Sequence, residues 1–177
     1  EALDTGLRHE LIVQSFVQYA ISEKHYEALL KHFSILKRYV LEEAILDKVL
    51  IGVSRYMDTI VEQEDSSLLE GCLSSLPKKL RQDRRLSYYT VKSLILSMQD
   101  EKALDILATL DFNDSRLIGL VAELKVNAAQ KIMLVDQLLR VFPSNKDLIY
   151  LMSYLHAQEG ELESSVKLLE NAWGGAN

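Results

Sequence analysis

Apolar residues recur every three to four positions along most of the chain, with polar stretches between the runs. The pattern is cleanest from Ser144 to Trp173. There Leu148, Ile149, Leu151, Met152 and Leu155 mark one face of a helix, and Leu162, Val166, Leu169, Ala172 and Trp173 mark another. Pro143 closes the preceding helix and biases Phe142 away from helical backbone. Ser144 is placed to cap the next helix, with Asp147 three residues on. Gly160 supplies the turn between the two helices, because it adopts positive φ at no steric cost. Two helices this short cannot hide both stripes against each other, so the hairpin needs neighbours.

Earlier runs read as further helices. Leu7 to Ala20 carries a one-sided stripe, interrupted at Ser22-Glu23, and Tyr26 to Val40 begins a second. Leu41 to Val61 is longer and apolar on more than one face, which predicts a helix packed among several others. After an acidic break at Glu62 to Ser67, a short helix runs from Ser67 to Leu76 and stops at Pro77. Leu86 to Met98 follows, turning at Gln99-Asp100 into a partner with Ala103, Leu104, Ile106, Leu107 and Leu110. Asn113 or Asp114 then caps a helix through Lys125, and Asn127 caps one reaching Phe142. The expectation is about ten helices paired into five hairpins.

Composition narrows this to an all-α class. Seven glycines and two prolines in 177 residues are too few for a turn-rich β fold. Leu, Ala, Glu, Lys and Ser suit helices throughout. Length and uniform pattern predict a single helical domain over residues 1–177, and a start at Glu1 rather than Met fits a piece of a longer chain.

The Ser144–Trp173 hairpin resembles the tetratricopeptide repeat, a helix–turn–helix unit of about 34 residues. Ile149, Met152, Ser153 and His156 stand where that family prefers Trp, Leu, Gly and Tyr. Gly160 falls in its turn, and Ser165, Leu169 and Ala172 fall at its small, large and small positions. Upstream the resemblance is looser. Gly119 lands on the glycine position, but Lys131 stands where a small residue belongs. Tyr19 and Ala28 take the Tyr and first small positions of another unit, and Ala103, Leu107 and Leu110 the small–large–small set of a third. The resemblance implies an α-solenoid that binds peptides or helices of other proteins on an extended face. It therefore implies a non-catalytic adaptor or scaffold. Groove contacts would come from first helices of the hairpins, with Tyr19, Tyr88, Tyr89, Tyr150 and Tyr154 as candidates.

Charge and motifs test that expectation. A net charge of −6 disfavours a general nucleic-acid or anionic-membrane binder. No run of about 20 apolar residues is present to span a bilayer. The single cysteine, Cys72, excludes an internal disulfide and a cysteine-based zinc cluster, and fits a reducing, intracellular setting, cytoplasmic or nuclear. On an apolar helix face between Leu69 and Leu73, it reads as a small buried hydrophobe. His9-Glu10 begins like a zinc-protease motif, but Val13 stands where the second histidine belongs. His25 and His32 lie about 10 Å apart along one helix, too far to share a metal. No glycine-rich phosphate loop, nucleophile elbow or Ser–Lys motif occurs, and Glu42-Glu43 splay around their helix. Asn113-Asp114-Ser115 fits a glycosylation acceptor but in such a chain reads rather as a loop and helix cap. Neither enzyme activity nor a cofactor or metal is expected.

The sharpest local feature is the basic run with Lys78, Lys79, Arg81, Arg84 and Arg85. Its plain reading is a solvated connector. Its functional reading is a patch for an acidic partner segment, a phosphate-bearing ligand or nucleic acid, the last as in the related pentatricopeptide repeats, with Tyr88 and Tyr89 available for stacking. A third alternative is a subunit whose apolar faces, Trp173 among them, complete an obligate complex.

Overall fold

The computed structural model describes residues 10–32, 43–76, 81, 83–110 and 115–173. Among these there are ten α-helices and no strand. They are α1 (Glu10–Ser22), α2 (Tyr26–Lys31), α3 (Glu43–Glu62), α4 (Ser66–Ser75), α5 (Ser87–Leu96), α6 (Asp100–Leu107), α7 (Ser115–Glu123), α8 (Ala128–Val141), α9 (Lys146–Gln158) and α10 (Leu162–Trp173). A 3₁₀ turn, Arg84–Leu86, leads into α5. The chain divides into two compact units, Glu1–Leu96 and Ser97–Asn177. The end of the second predicted helix towards Val40, the stop at Pro77 and the Asn113/Asp114 cap lie outside the described residues.

In the first unit α3 is the central helix and touches α1, α2, α4 and α5. Its sequence explains the position. Val49, Leu50, Val53, Met57 and Ile60 follow one another at helical spacing and are all buried. The burial is not all-round, since Ile51 is exposed. Gly52 lets α2 approach, because a Cβ there would stand 3.0 Å from the Tyr26 ring. Tyr89 on α5 anchors the other side. Its hydroxyl lies 2.7 Å from Asp58 Oδ1 and 3.0 Å from the Ser54 carbonyl oxygen of α3.

In the second unit α9 plays the same part, touching α7, α8 and α10. The α9–α10 pair is drawn close by two serines. Ser153 Oγ and Ser165 Oγ are 2.8 Å apart and buried, and Ser153 Oγ also donates to the Ser165 carbonyl at 3.1 Å. Small side chains at the crossing let the helices approach, and the mutual bond satisfies both hydroxyls.

Helix ends follow the local chemistry, with shifts of a residue or so. Asn127 caps α8 in a full capping box with Gln130. The cap of α9 is Asn145 rather than Ser144, its side chain accepting from the Leu148 amide at 3.1 Å. Asp65 caps α4 in the same way. The turn before α6 is made one residue earlier than Gln99-Asp100, by Met98.

One device recurs at the helix stops. Lys24, Glu64 and Gly160 each take left-handed backbone, with φ of 60°, 55° and 83°. At each the amide of that residue reaches back three residues, to Ile21, Val61 and Ala157 respectively. The following amide reaches back five, from His25 to Ala20, Asp65 to Ile60 and Glu161 to His156. This paired closure satisfies carbonyls left over at a helix end. Seven residues before each stop and five after it stand Val17 and Leu29, Met57 and Leu69, and Ser153 and Ser165, all buried. The pairing that puts Tyr19 and Ala28 at packing positions is therefore off register. Tyr19 is exposed, and Ala20 beside it is buried.

Candidate functional site

The second unit carries a groove between α7 and α9. Ser115, Ile118, Gly119 and Ala122 line it from α7, and Asp147, Tyr150, Leu151 and Tyr154 from α9, around a volume of about 420 Å³. The helical period explains the arrangement. On α7, Leu117, Leu120 and Val121 turn into the core, so Ser115, Gly119 and Ala122 fall on the exposed side. On α9, Leu148, Leu151, Met152 and Leu155 are buried, which leaves Asp147, Tyr150 and Tyr154 outward at i, i+3 and i+7.

The two walls differ in height. A Cβ added at Gly119 meets nothing within 4 Å, so the α7 wall is open there. Opposite, Tyr150 and Tyr154 are 63% and 51% exposed, a large apolar area one helical turn apart. The Tyr154 hydroxyl is held by Gln158 Nε2 at 2.8 Å. Asp147 sits in the first turn of α9, where the positive end of the helix dipole favours a carboxylate. Among the described residues nothing pairs with it.

Tyr150 is also the wall of a second depression, of about 570 Å³, shared with Leu169, Glu170 and Trp173 of α10. Trp173 is half exposed, and Lys146 Nζ lies 5.8 Å from its ring centre. Tyr150 thus forms a ridge between two neighbouring hollows.

Other candidates are placed differently. Tyr19 is exposed, with its ring 5.9 Å from that of His25. Tyr88 is half-buried and meets Tyr89 edge to face at 5.2 Å. Tyr89 is corrected from a surface candidate to a core residue: it is only 1% exposed. Its polar tip is spent on Asp58 and Ser54, so it is no platform for stacking a ligand. In the first unit Tyr19 lies on α1 and Tyr88 and Tyr89 lie together at the start of α5, while in the second Tyr150 and Tyr154 line this groove.

The basic run is described only at its arginines. Lys78 and Lys79 lie outside the described residues, and Arg81 and Arg84 are exposed. Arg85 is committed to the protein. Its guanidinium donates to Asp83 through Nε at 3.0 Å and Nη2 at 2.9 Å, and to Asp47 through Nη1 at 2.6 Å. Those bonds hold the Asp83 carboxyl below its ordinary value and raise the arginine further.

Several other titratable groups are engaged within their own unit or buried there. Burial, then the nearby Glu27 charge, pushes the Cys72 thiol up, away from the reactive thiolate. His156 Nδ1 is 2.7 Å from Glu161 across the Gly160 turn. His32 packs edge-on against Phe16, 5.6 Å between ring centres. Lys131 donates to the Ala122 carbonyl at 2.9 Å at the end of α7, and burial lowers its pKa. Among the described residues no three His, Cys, Asp or Glu side chains gather to hold a metal, and no helix is long and apolar enough to cross a membrane.

Sequence reasoning named Tyr150 and Tyr154 but missed their opposite wall. Gly119 was read only as the glycine position of a repeat unit, Ala122 was not singled out, and Asp147 entered only as part of a cap. No known protein family, curated protein or solved structure matches this chain.

Proposed function

We propose that this protein is a non-catalytic adaptor and that the α7–α9 groove takes a short segment of another protein. The observation that carries the reading is the pairing of two outward tyrosines on α9 with the stripped wall at Gly119 and Ala122. Tyrosine offers large, rigid contact area at low entropic cost, which is why it dominates recognition surfaces. A small-residue wall beside it leaves room for a side chain or a backbone to lie down.

The finer architecture, a solenoid of about five tetratricopeptide-like hairpins, belongs to the same proposal. Two regularities support it. In the first unit each helix touches the next and the next but one, from α1 to α5. The left-handed stop, with buried residues seven before and five after, recurs in both units. A stack of this kind leaves its first helices facing a common groove.

Affinity capture followed by mass spectrometry, with the native chain and Gly119→Leu as paired baits, tests the reading. A specific partner is retained by the native chain and lost by the variant, whose fold is checked by circular dichroism. Equal recovery on both baits refutes the groove as the docking site.

A second reading, a subunit of an obligate complex, draws on α10. Leu162, Val166, Leu169 and Trp173 recur at spacings of four, three and four, and three of them are half exposed or more. Light scattering of the purified chain separates the cases, since a monodisperse monomer at micromolar concentration removes self-assembly through that stripe.

A further inference from the structure

We propose that the α7–α9 groove selects a segment presenting an arginine next to an apolar side chain; this rests on the adaptor reading above. The sign of the charge follows from the wall that α9 contributes. Asp147, Tyr150 and Tyr154 occupy one outward stripe, a carboxylate followed by two aromatic rings. Aromatic faces carry negative potential, so all three groups favour a cation. Among the described residues nothing pairs with Asp147, and its charge is available to a ligand.

The wider field agrees. Ser97–Asn177 holds seven Lys and Arg against twelve Asp and Glu, a net of −5 out of the whole chain's −6. An acidic segment would meet that field and the Asp147 carboxylate together. The positive end of α9 does not reverse the preference. Its Leu148 amide is already taken by Asn145, and Asp147 itself offsets the dipole. The chain also shows the chemistry at Trp173, where Lys146 Nζ stands 5.8 Å over the ring centre.

Arginine suits the stripe better than lysine. A planar guanidinium stacks on a phenol ring while presenting paired N–H donors to a carboxylate, which an ammonium cannot do at once. The apolar neighbour would use the floor formed by Ile118 and Leu151 beside the gap at Gly119.

The test uses the whole chain and a phage-displayed library of random dodecapeptides. The enriched peptide is synthesised with a fluorophore and titrated by anisotropy against the native chain, Asp147→Asn, Tyr150→Leu and Gly119→Leu. The proposal expects arginine beside an aliphatic or aromatic residue in the enriched peptides. It expects Asp147→Asn and Tyr150→Leu each to weaken binding about two- to fivefold, the range for exposed ion pairs and cation–π contacts. Replacing the peptide's arginine with citrulline should cost a similar factor and make Asp147→Asn silent. Peptides that Gly119→Leu blocks but that lack a basic residue, or carry an acidic one, overturn this proposal and leave the groove as the docking site. No enrichment, or binding indifferent to Gly119→Leu, overturns both.

Discussion

Three residues that carry a Cβ, Lys24, Glu64 and Met98, are held at φ of 60°, 55° and 56° where a helix must stop. Left-handed backbone costs an ordinary residue about 1–2 kcal/mol, because its Cβ crowds the following carbonyl. Glycine escapes that strain but loses more freedom on folding, by about 0.5–1 kcal/mol. The balance for each change to glycine is therefore a gain of about 0.5–1 kcal/mol. All three side chains are exposed, so little packing is lost with them. Glu64→Gly should gain most, since it also removes a negative charge from the negative end of α3. The mirror experiment is Gly160→Ala, where φ of 83° becomes a strain costing about 1 kcal/mol. A chain combining all three glycines should melt about 3–12 °C higher, taking about 2–4 °C per kcal/mol for a chain of this length. Urea titrations followed by circular dichroism give each free energy, with the slope checked for constancy. If Glu64→Gly lowers the midpoint at unchanged slope, or Gly160→Ala is neutral, the account of these stops is wrong.

Removing a buried hydroxyl should be costly: Tyr89→Phe is expected to destabilise by about 1–2 kcal/mol in urea, because the Asp58 carboxylate loses a charge-assisted donor. At the α9–α10 crossing, Ser153→Ala should cost about 1 kcal/mol, while the double change with Ser165→Ala costs less than the sum, as both polar partners leave together; a double-mutant cycle reads the coupling. Cys72 should react slowly with a thiol-specific reagent in the native chain and rapidly once denaturant opens it, so equal rates would show that α4 is not packed as described. The Arg85 bonds give a pH signature of known sign. Asp83 is depressed below 3.8, so its contribution is full above that value and fades as pH falls through the folded-state value. Arg85→Gln should therefore destabilise at neutral pH by under about 1 kcal/mol, since the guanidinium and Asp47 are half exposed, and lose its effect as acid protonates Asp83.

Periodicity made most of the helices legible, because burial of one face is what the spacing encodes. Val49, Val53, Met57 and Ile60 announce α3 without any tertiary knowledge, and Leu148, Leu151, Met152 and Leu155 announce α9. The breaks at Ser22-Glu23, Glu62 to Ser67 and Gln99-Asp100 were legible as interruptions of the apolar stripe, but the residue that turns the backbone was legible only where it is glycine. Gly160 is read at once, whereas Lys24, Glu64 and Met98 do the same job with residues that carry no turn signal. Strain of that kind is tolerated because the next helix over-determines the turn, and nothing in the local residue types reveals it. The same blindness put Tyr19 one residue short of the buried Ala20, and Ala28 one short of the buried Leu29.

The site was legible on one side only, and the asymmetry has a physical cause. An aromatic residue off the apolar stripe of its own helix stands out, as Tyr150 and Tyr154 do, because exposing so large a ring is unusual without a use. The rule misfires when a polar partner waits in the core. Tyr89 also left the simple stripe, yet Asp58 and Ser54 receive its hydroxyl from a helix more than 30 residues away in the chain. What makes Tyr150 and Tyr154 a wall rather than two exposed rings is the emptiness opposite, at Gly119 and Ala122, and emptiness has no residue type. It follows that filling the gap is the sharper experiment than removing the rings. Gly119→Leu adds a side chain where a Cβ meets open space, and replaces a helix-weakening glycine in the interior of α7. Helix propensity alone predicts a gain of about 0.5–1 kcal/mol in stability. A chain made more stable and yet unable to hold its segment separates docking from folding in a single substitution; a destabilised one would mean that α7 already has a neighbour at that point.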